Sequence, residues 1–126
     1  MRILLAEDDP NISVITQLCL EKIGGHQVVL REDGESAVQT ALREPFDLIL
    51  LDGMMPKKSG LQVALELQSS GIVGTPIIFL SAKTDEKDIG QFLELGTGYI
   101  SKPFDPQTIC ARIEEIMTQT GSKIPP

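Results

Sequence analysis

Three short runs, residues 3–6, 48–51 and 77–80, are almost wholly apolar and lack the alternation of a sheet with one wet face. Strands of this composition must be covered on both sides, as parallel strands are in an α/β domain. Segments of helical period separate them. Ile12, Ile15, Cys19 and Ile23 recur at helical spacing before Gly24 and Gly25 end the segment. Ala37, Val38, Ala41 and Leu42 repeat the pattern before Pro45, as do Leu61, Ala64 and Leu65 after Gly60, and Ile89 and Leu93 after Asp85. Each stripe is expected to face the sheet. The last helix is the best marked, with Asp105 as N-cap, Pro106 at the first helical position, and Ile109, Ile113, Ile116 and Met117 on one face. Residues 28–30 and 99–101 supply two shorter strands, so five strand–helix units make one alternating α/β domain.

A chain of 126 residues suits one domain with a single buried core. Residues 1–119 are expected to form it, and residues 120–126, with Gly, Ser and a terminal Pro-Pro, read as a tail or linker. No apolar run approaches a membrane span, and Glu7 interrupts what could otherwise resemble an export signal. A net charge of -7, from 18 acidic against 11 basic residues, disfavours direct nucleic-acid binding. Cys19 and Cys110 have no metal-ligand spacing and read as small buried hydrophobes in a reducing cytoplasm, while the single His26 sits in a turn.

Sheets of this kind place ligands beyond the carboxyl ends of their strands. There the chain delivers Glu7, Asp8 and Asp9 after the first apolar run, Asp52 after the third strand, Ser81 after the fourth and Lys102 after the fifth. A strand-end Asp or Ser alone is usually a turn or cap residue. Four strand ends converging on one edge need another account. Two carboxylates about 4 Å apart repel by roughly 4 kcal/mol at an effective dielectric near 20, so positive charge is required. Lys102 offsets part of it, and a hard divalent cation offsets more. Magnesium fits better than calcium, because a few carboxylates without a Gly-centred ligand loop leave positions for phosphate oxygens. Asp52 could then act as nucleophile and form an acyl phosphate, with Lys102 and the metal stabilising the equatorial oxygens and the Ser81 hydroxyl donating to the phosphoryl group.

These residues carry a resemblance. The runs Ile3, Leu4, Leu5, Ala6, Glu7, Asp8, Asp9; Asp52, Gly53, Met54, Met55, Pro56; Ser81, Ala82; and Lys102, Pro103, Phe104 resemble the response-regulator receiver domain of two-component signalling, from Arg2 to Met117. The resemblance implies a flavodoxin-like receiver fold, a five-stranded parallel sheet of order 2-1-3-4-5 with helices on both faces. It implies Asp52 as phosphoacceptor, with Mg2+ held by Glu7, Asp8, Asp52 and the main-chain carbonyl of Met54, and Asp9 as a less central acid. The donor would be a phosphohistidine on a sensor histidine kinase or histidine phosphotransfer protein. The chain would then catalyse only its own phosphotransfer and dephosphorylation. Ser81 and Tyr99 would form the switch that reshapes the face of the fourth helix, fifth strand and fifth helix toward an output domain or effector. Met54 and Lys83 would flank the acyl phosphate and set its lifetime.

Three departures narrow this expectation. Gly53 replaces a larger apolar residue, which predicts a more mobile chain and a more open site. The segment Gly96, Thr97, Gly98, Tyr99 is shorter than the family's usual Gly-Ala-Asp-Asp-Tyr and lacks its acids. The last helix resembles the winged-helix DNA-binding regulators, whose receivers pair through charged residues, yet only Arg112 survives, with Gln91, Gly98 and Thr108 where partners would stand. A salt-bridged dimer is therefore not expected. A dehalogenase-type phosphatase would need Asp where Met54 stands, and a flavodoxin would need a Ser/Thr-rich phosphate loop where the acids lie. The alternative is a receiver-fold interaction module working without phosphorylation. Met1 sits at the first strand, and the tail suits a domain cut from a longer regulator.

Overall fold

The computed structural model describes residues 1–72, 74–82, 90, 91, 93, 94, 96 and 98–119. Five strands, β1 (Arg2–Ala6), β2 (Gln27–Arg31), β3 (Leu48–Asp52), β4 (Ile77–Ser81) and β5 (Gly98–Ser101), form one parallel sheet of order β2-β1-β3-β4-β5. The helices α1 (Pro10–Lys22), α2 (Gly34–Arg43), α3 (Gly60–Ser69) and a C-terminal helix (Ile109–Gln119) cover it. This is the expected order. The Ile89 end of the fourth predicted stripe and the tail lie outside the described residues, and no described helix is long and apolar enough to cross a membrane.

Residue alternation divides the apolar runs between two cores. Leu4, Ala6, Ile49, Leu51, Ile77 and Phe79 face α2 and α3, packing on Ala37, Val38, Val63 and Leu67. Ile3, Leu5, Leu48, Leu50, Ile78 and Leu80 face Leu20 of α1 and Ile109, Ile113, Ile116 and Met117 of the C-terminal helix. A strand buried on both faces has no polar position to offer, which is why these runs look unpatterned.

The chain entries into helices follow local chemistry. The Asp9 carboxylate accepts from Asn11 N at 2.9 Å, Asp33 from Ser36 N at 2.8 Å, and Ser59 and Gln62 form a reciprocal capping box before α3. Asp105 and Pro106 open a 3-10 turn (Pro106–Thr108) that leads into the C-terminal helix, one turn later than expected.

The predicted stripe of the C-terminal helix is buried as expected, but that of α1 only in part, with Cys19 buried and Ile12 half-buried. Ile15 and Ile23 are 45% and 59% exposed, and Val14 and Leu18 join them outside, while Ser13, Thr16, Cys19 and Leu20 face inward. Leu42, Leu65 and Leu93 are likewise exposed, with Thr40 buried on α2 and Val63 and Leu67 on α3.

Thr16 is fully buried and its Oγ1 has no hydrogen-bond partner among the described residues. Thr16→Val keeps the shape and removes that desolvated hydroxyl, so it is expected to raise stability by about 1 kcal/mol, read as a higher urea midpoint with unchanged slope.

Candidate functional site

β3 ends on Asp52, and the ladder continues one step beyond the ends of β1 and β5. Glu7 N donates to Arg31 O at 3.0 Å, and Lys102 N to Ser81 O at 2.8 Å. Alternation then sets the side. Leu5, Leu50 and Ile100 belong to the core under α1 and the C-terminal helix, so Glu7, Asp52 and Lys102, two places on, share their direction. The Lys102 ammonium lies 2.6 Å from Glu7 Oε1 and 3.2 Å from Asp52 Oδ1. Glu7 is 0% exposed and Asp52 5%. The second Glu7 oxygen accepts from Asp9 N, and Asp52 Oδ1 accepts from Met54 N, each at 3.2 Å. The Lys102–Pro103 peptide is cis.

One ammonium between two buried carboxylates leaves the site short of positive charge. Burial, then the hydrogen bond and charge of Glu7, push the Asp52 carboxyl up to about 7, against the pull of the Met54 N–H and Lys102. Burial works against the Lys102 ammonium as well, but the Glu7 hydrogen bond and the two carboxylates outweigh it and hold its pKa above the ordinary value.

Asp8 is exposed, and one oxygen from each of Glu7, Asp8 and Asp52 lies within 4.8 Å of the others. Three hard oxygen donors around an underneutralised pocket suit a magnesium-class cation. They line a cleft of about 300 Å³ together with Met54, Ser81 and Lys102. Asp9 also borders this cleft, but its carboxylate caps α1.

Ser81 is 2% exposed at the end of β4. Tyr99 pairs in register with Phe79 and packs half-buried against the core beneath α2 and α3. Met54 is 65% exposed at the cleft mouth, while Lys83 lies outside the described residues. Gly53 departs from expectation: it is buried, its N–H donates to Leu80 O at 2.8 Å, and its carbonyl accepts from Gly60 N at 3.2 Å. Both bonds hold the backbone that the missing side chain was expected to loosen.

Sequence reading missed how α3 meets Asp52. A Cβ at Gly60 would lie 2.5 Å from the Asp52 carbonyl oxygen, so only glycine lets the helix start against that peptide. The visible signal was the Ser59-Gly60 pair, which reads equally as an ordinary cap. The absent acid near β5 has a steric reason too, since a Cβ at Gly98 would stand 2.6 Å from Ile116 Cγ2. Arg112 pairs with Glu115 on its own helix at 2.5 Å.

A buried strand-end aspartate, a lysine from the outer strand and an acidic cleft at the sheet's reversal define an aspartate-centred α/β domain. The family model described as "Response regulator receiver domain" matches residues 3–114, and the chain belongs to that family, whose function is to accept a phosphoryl group. It is 38% identical over 124 residues to the transcriptional regulatory protein RprY of Bacteroides fragilis, covering 98% of this chain and 52% of that protein. It is 41% identical over 119 residues to the phosphate regulon transcriptional regulatory protein PhoB of Escherichia coli, covering 92% and 51%. The chain thus spans about half the length of these relatives. The receiver domain of the Francisella response regulator 1452 superposes with a TM-score of 0.84 at 28% identity, covering 94% of this chain and 98% of that one.

In metal-free protein Asp52→Asn relieves the repulsion from Glu7 and is expected to raise stability by about 1 kcal/mol. Lys102→Ala removes the only cation facing the pair among the described residues and is expected to lower it by about 2 kcal/mol. Thermal unfolding in EDTA reads both; equal shifts of one sign would contradict the charge balance.

Proposed function

We propose that this receiver takes a phosphoryl group onto Asp52 from a phosphohistidine of a sensor kinase or histidine phosphotransfer protein, and that the change controls an output domain or effector. The convergence of Lys102, Glu7, Asp8 and Asp52 on one cleft carries this reading. An Asp52 oxygen attacks phosphorus in line as the phosphorus–nitrogen bond breaks, and the electron pair stays on the imidazole. Lys102 leaves part of its hold on Glu7 to meet the developing charge, and the Ser81 hydroxyl donates to a phosphoryl oxygen once it is in place. Glu7, Asp8, Asp52 and the Met54 carbonyl would hold Mg2+, which when bound neutralises the phosphoryl oxygens and the crowded carboxylates.

Residues 1–119 form the receiver unit in this reading. Ser81 and Tyr99 link the acyl phosphate to the outer edge of the sheet, and Met54 and Lys83 govern water access to it. The domain acts on its own phosphoryl group and is no turnover enzyme. RprY and PhoB are named as transcriptional regulators, so control of transcription is the output we favour, with nucleic-acid contact left to another domain because this one is acidic. The setting is the cytoplasm.

Incubation with acetyl phosphate and Mg2+ is expected to add one phosphoryl group by intact mass, with none in Asp52→Asn or in EDTA and about a hundredfold slower labelling in Lys102→Ala. A phosphoryl group that persists in Asp52→Asn would overturn the assignment.

The self-paired Arg112 and the space filled beside Gly98 support a receiver that does not form the salt-bridged dimer. The beryllofluoride-loaded protein is expected to sediment as a monomer; a tight dimer abolished by Arg112→Ala would refute this.

A further inference from the structure

We propose that Gly34, the first residue of α2, is a positioning residue for the loop 53–59 that follows the phosphoacceptor. This rests on the reading of the cleft as a magnesium-dependent phosphoacceptor site. Gly34 is remote from Asp52 in sequence and belongs to another crossover, yet it is buried directly against that loop. Its N–H donates to Pro56 O at 3.3 Å. A Cβ at position 34 would stand 2.3 Å from Lys58 O, 2.6 Å from Lys58 Cβ and 2.9 Å from Lys58 C. Two of these three atoms are backbone, so the neighbour cannot yield by turning a side chain. Gly34 is not among the positive-φ residues; the requirement is for space and not for a special dihedral.

α2 cannot easily retreat. Its Asp33 cap holds Ser36 N at 2.8 Å, the Asp33 carbonyl accepts from Ala37 N at 3.1 Å, and Ala37, Val38 and Ala41 are packed in the core. The loop must therefore yield. It is fastened at both ends, by Met54 N on Asp52 Oδ1 at 3.2 Å and by the Ser59 capping box beside Gly60. Its middle already holds Lys57 at φ 70, with the Lys57 ammonium 3.9 Å from Asp33 Oδ2. A segment this short, held at both ends and pushed at residue 58, passes the displacement to Met54, whose carbonyl is a proposed metal ligand. Gly34 thus acts through the loop and touches no reacting atom.

The test is Gly34→Ala in the full chain, titrated with MgCl2 by isothermal calorimetry and followed at the Asp52 and Met54 amides by NMR. Magnesium affinity is expected to fall about tenfold, with shifted Met54 resonances and slower acetyl phosphate labelling. Gly71→Ala is the control: Gly71 has φ +88 with nothing within 4 Å of a built Cβ, so the variant loses stability through backbone strain away from the cleft. It is expected to keep wild-type magnesium affinity. Wild-type affinity in Gly34→Ala, or an equal loss in Gly71→Ala, would overturn the proposal. If Gly34→Ala alone does not fold, Gly34→Ala with Lys58→Gly, measured against Lys58→Gly, carries the same comparison, because glycine at 58 removes one contact and lets the backbone move. A wild-type chain that binds no Mg2+ would sink the functional reading itself, whereas normal wild-type binding with an unaffected Gly34→Ala sinks only this inference.

Discussion

The Lys102 ammonium, held between Glu7 and Asp52 at the carboxyl edge of the sheet, is the contact on which the site's organisation depends. Without it two buried carboxylates so close would repel each other apart or take up a proton; even with it, burial first and Glu7 second hold the Asp52 pKa above the ordinary value. The contact also ties the end of β5 to the ends of β1 and β3, across the intervening β4. A residue of the outer strand thus reports on charge at the centre of the sheet.

The three carboxylates at the cleft differ in their surroundings. Glu7 is buried and already bonded, Asp8 is exposed, and Asp52 lies between them in accessibility. Each carboxylate therefore has a different freedom to meet a cation, although all three have the same chemistry. Around them the backbone supplies the rest: Met54 N on Asp52, Asp9 N on Glu7, and two hydrogen bonds that hold Gly53. Asp52 stands on a braced peptide, seated against the start of α3 at Gly60.

Strand positions were legible because double burial leaves a strand no polar residues, and residues 3–6, 48–51 and 77–80 show that plainly. Helix faces were less so. The C-terminal helix buried the stripe its spacing predicted, whereas α1 turned Ser13 and Thr16 inward and left Ile15 and Leu18 outside. Periodicity reports where apolar residues cluster on a helix, but tertiary packing settles which face meets the sheet. The position of Gly53 taught the same lesson in reverse: a missing side chain implies freedom only when the backbone groups have no partners.

By itself the sequence determined the α/β class, the five strands and the polar residue at each strand end, because burial and alternation are local rules that composition must obey. The sequence motifs also selected the receiver family, which implied the strand order found here. Tertiary structure decided which of those acids became partners: Glu7 and Asp52 share the lysine, Asp9 became a helix cap, and Asp8 stayed exposed at the cleft. It also decided why Gly34, Gly60 and Gly98 must be small, since each stands against atoms of an element distant in the chain or against backbone that only folding brings close. Distances between such groups are set by how the layers pack, and no local pattern in the chain encodes them.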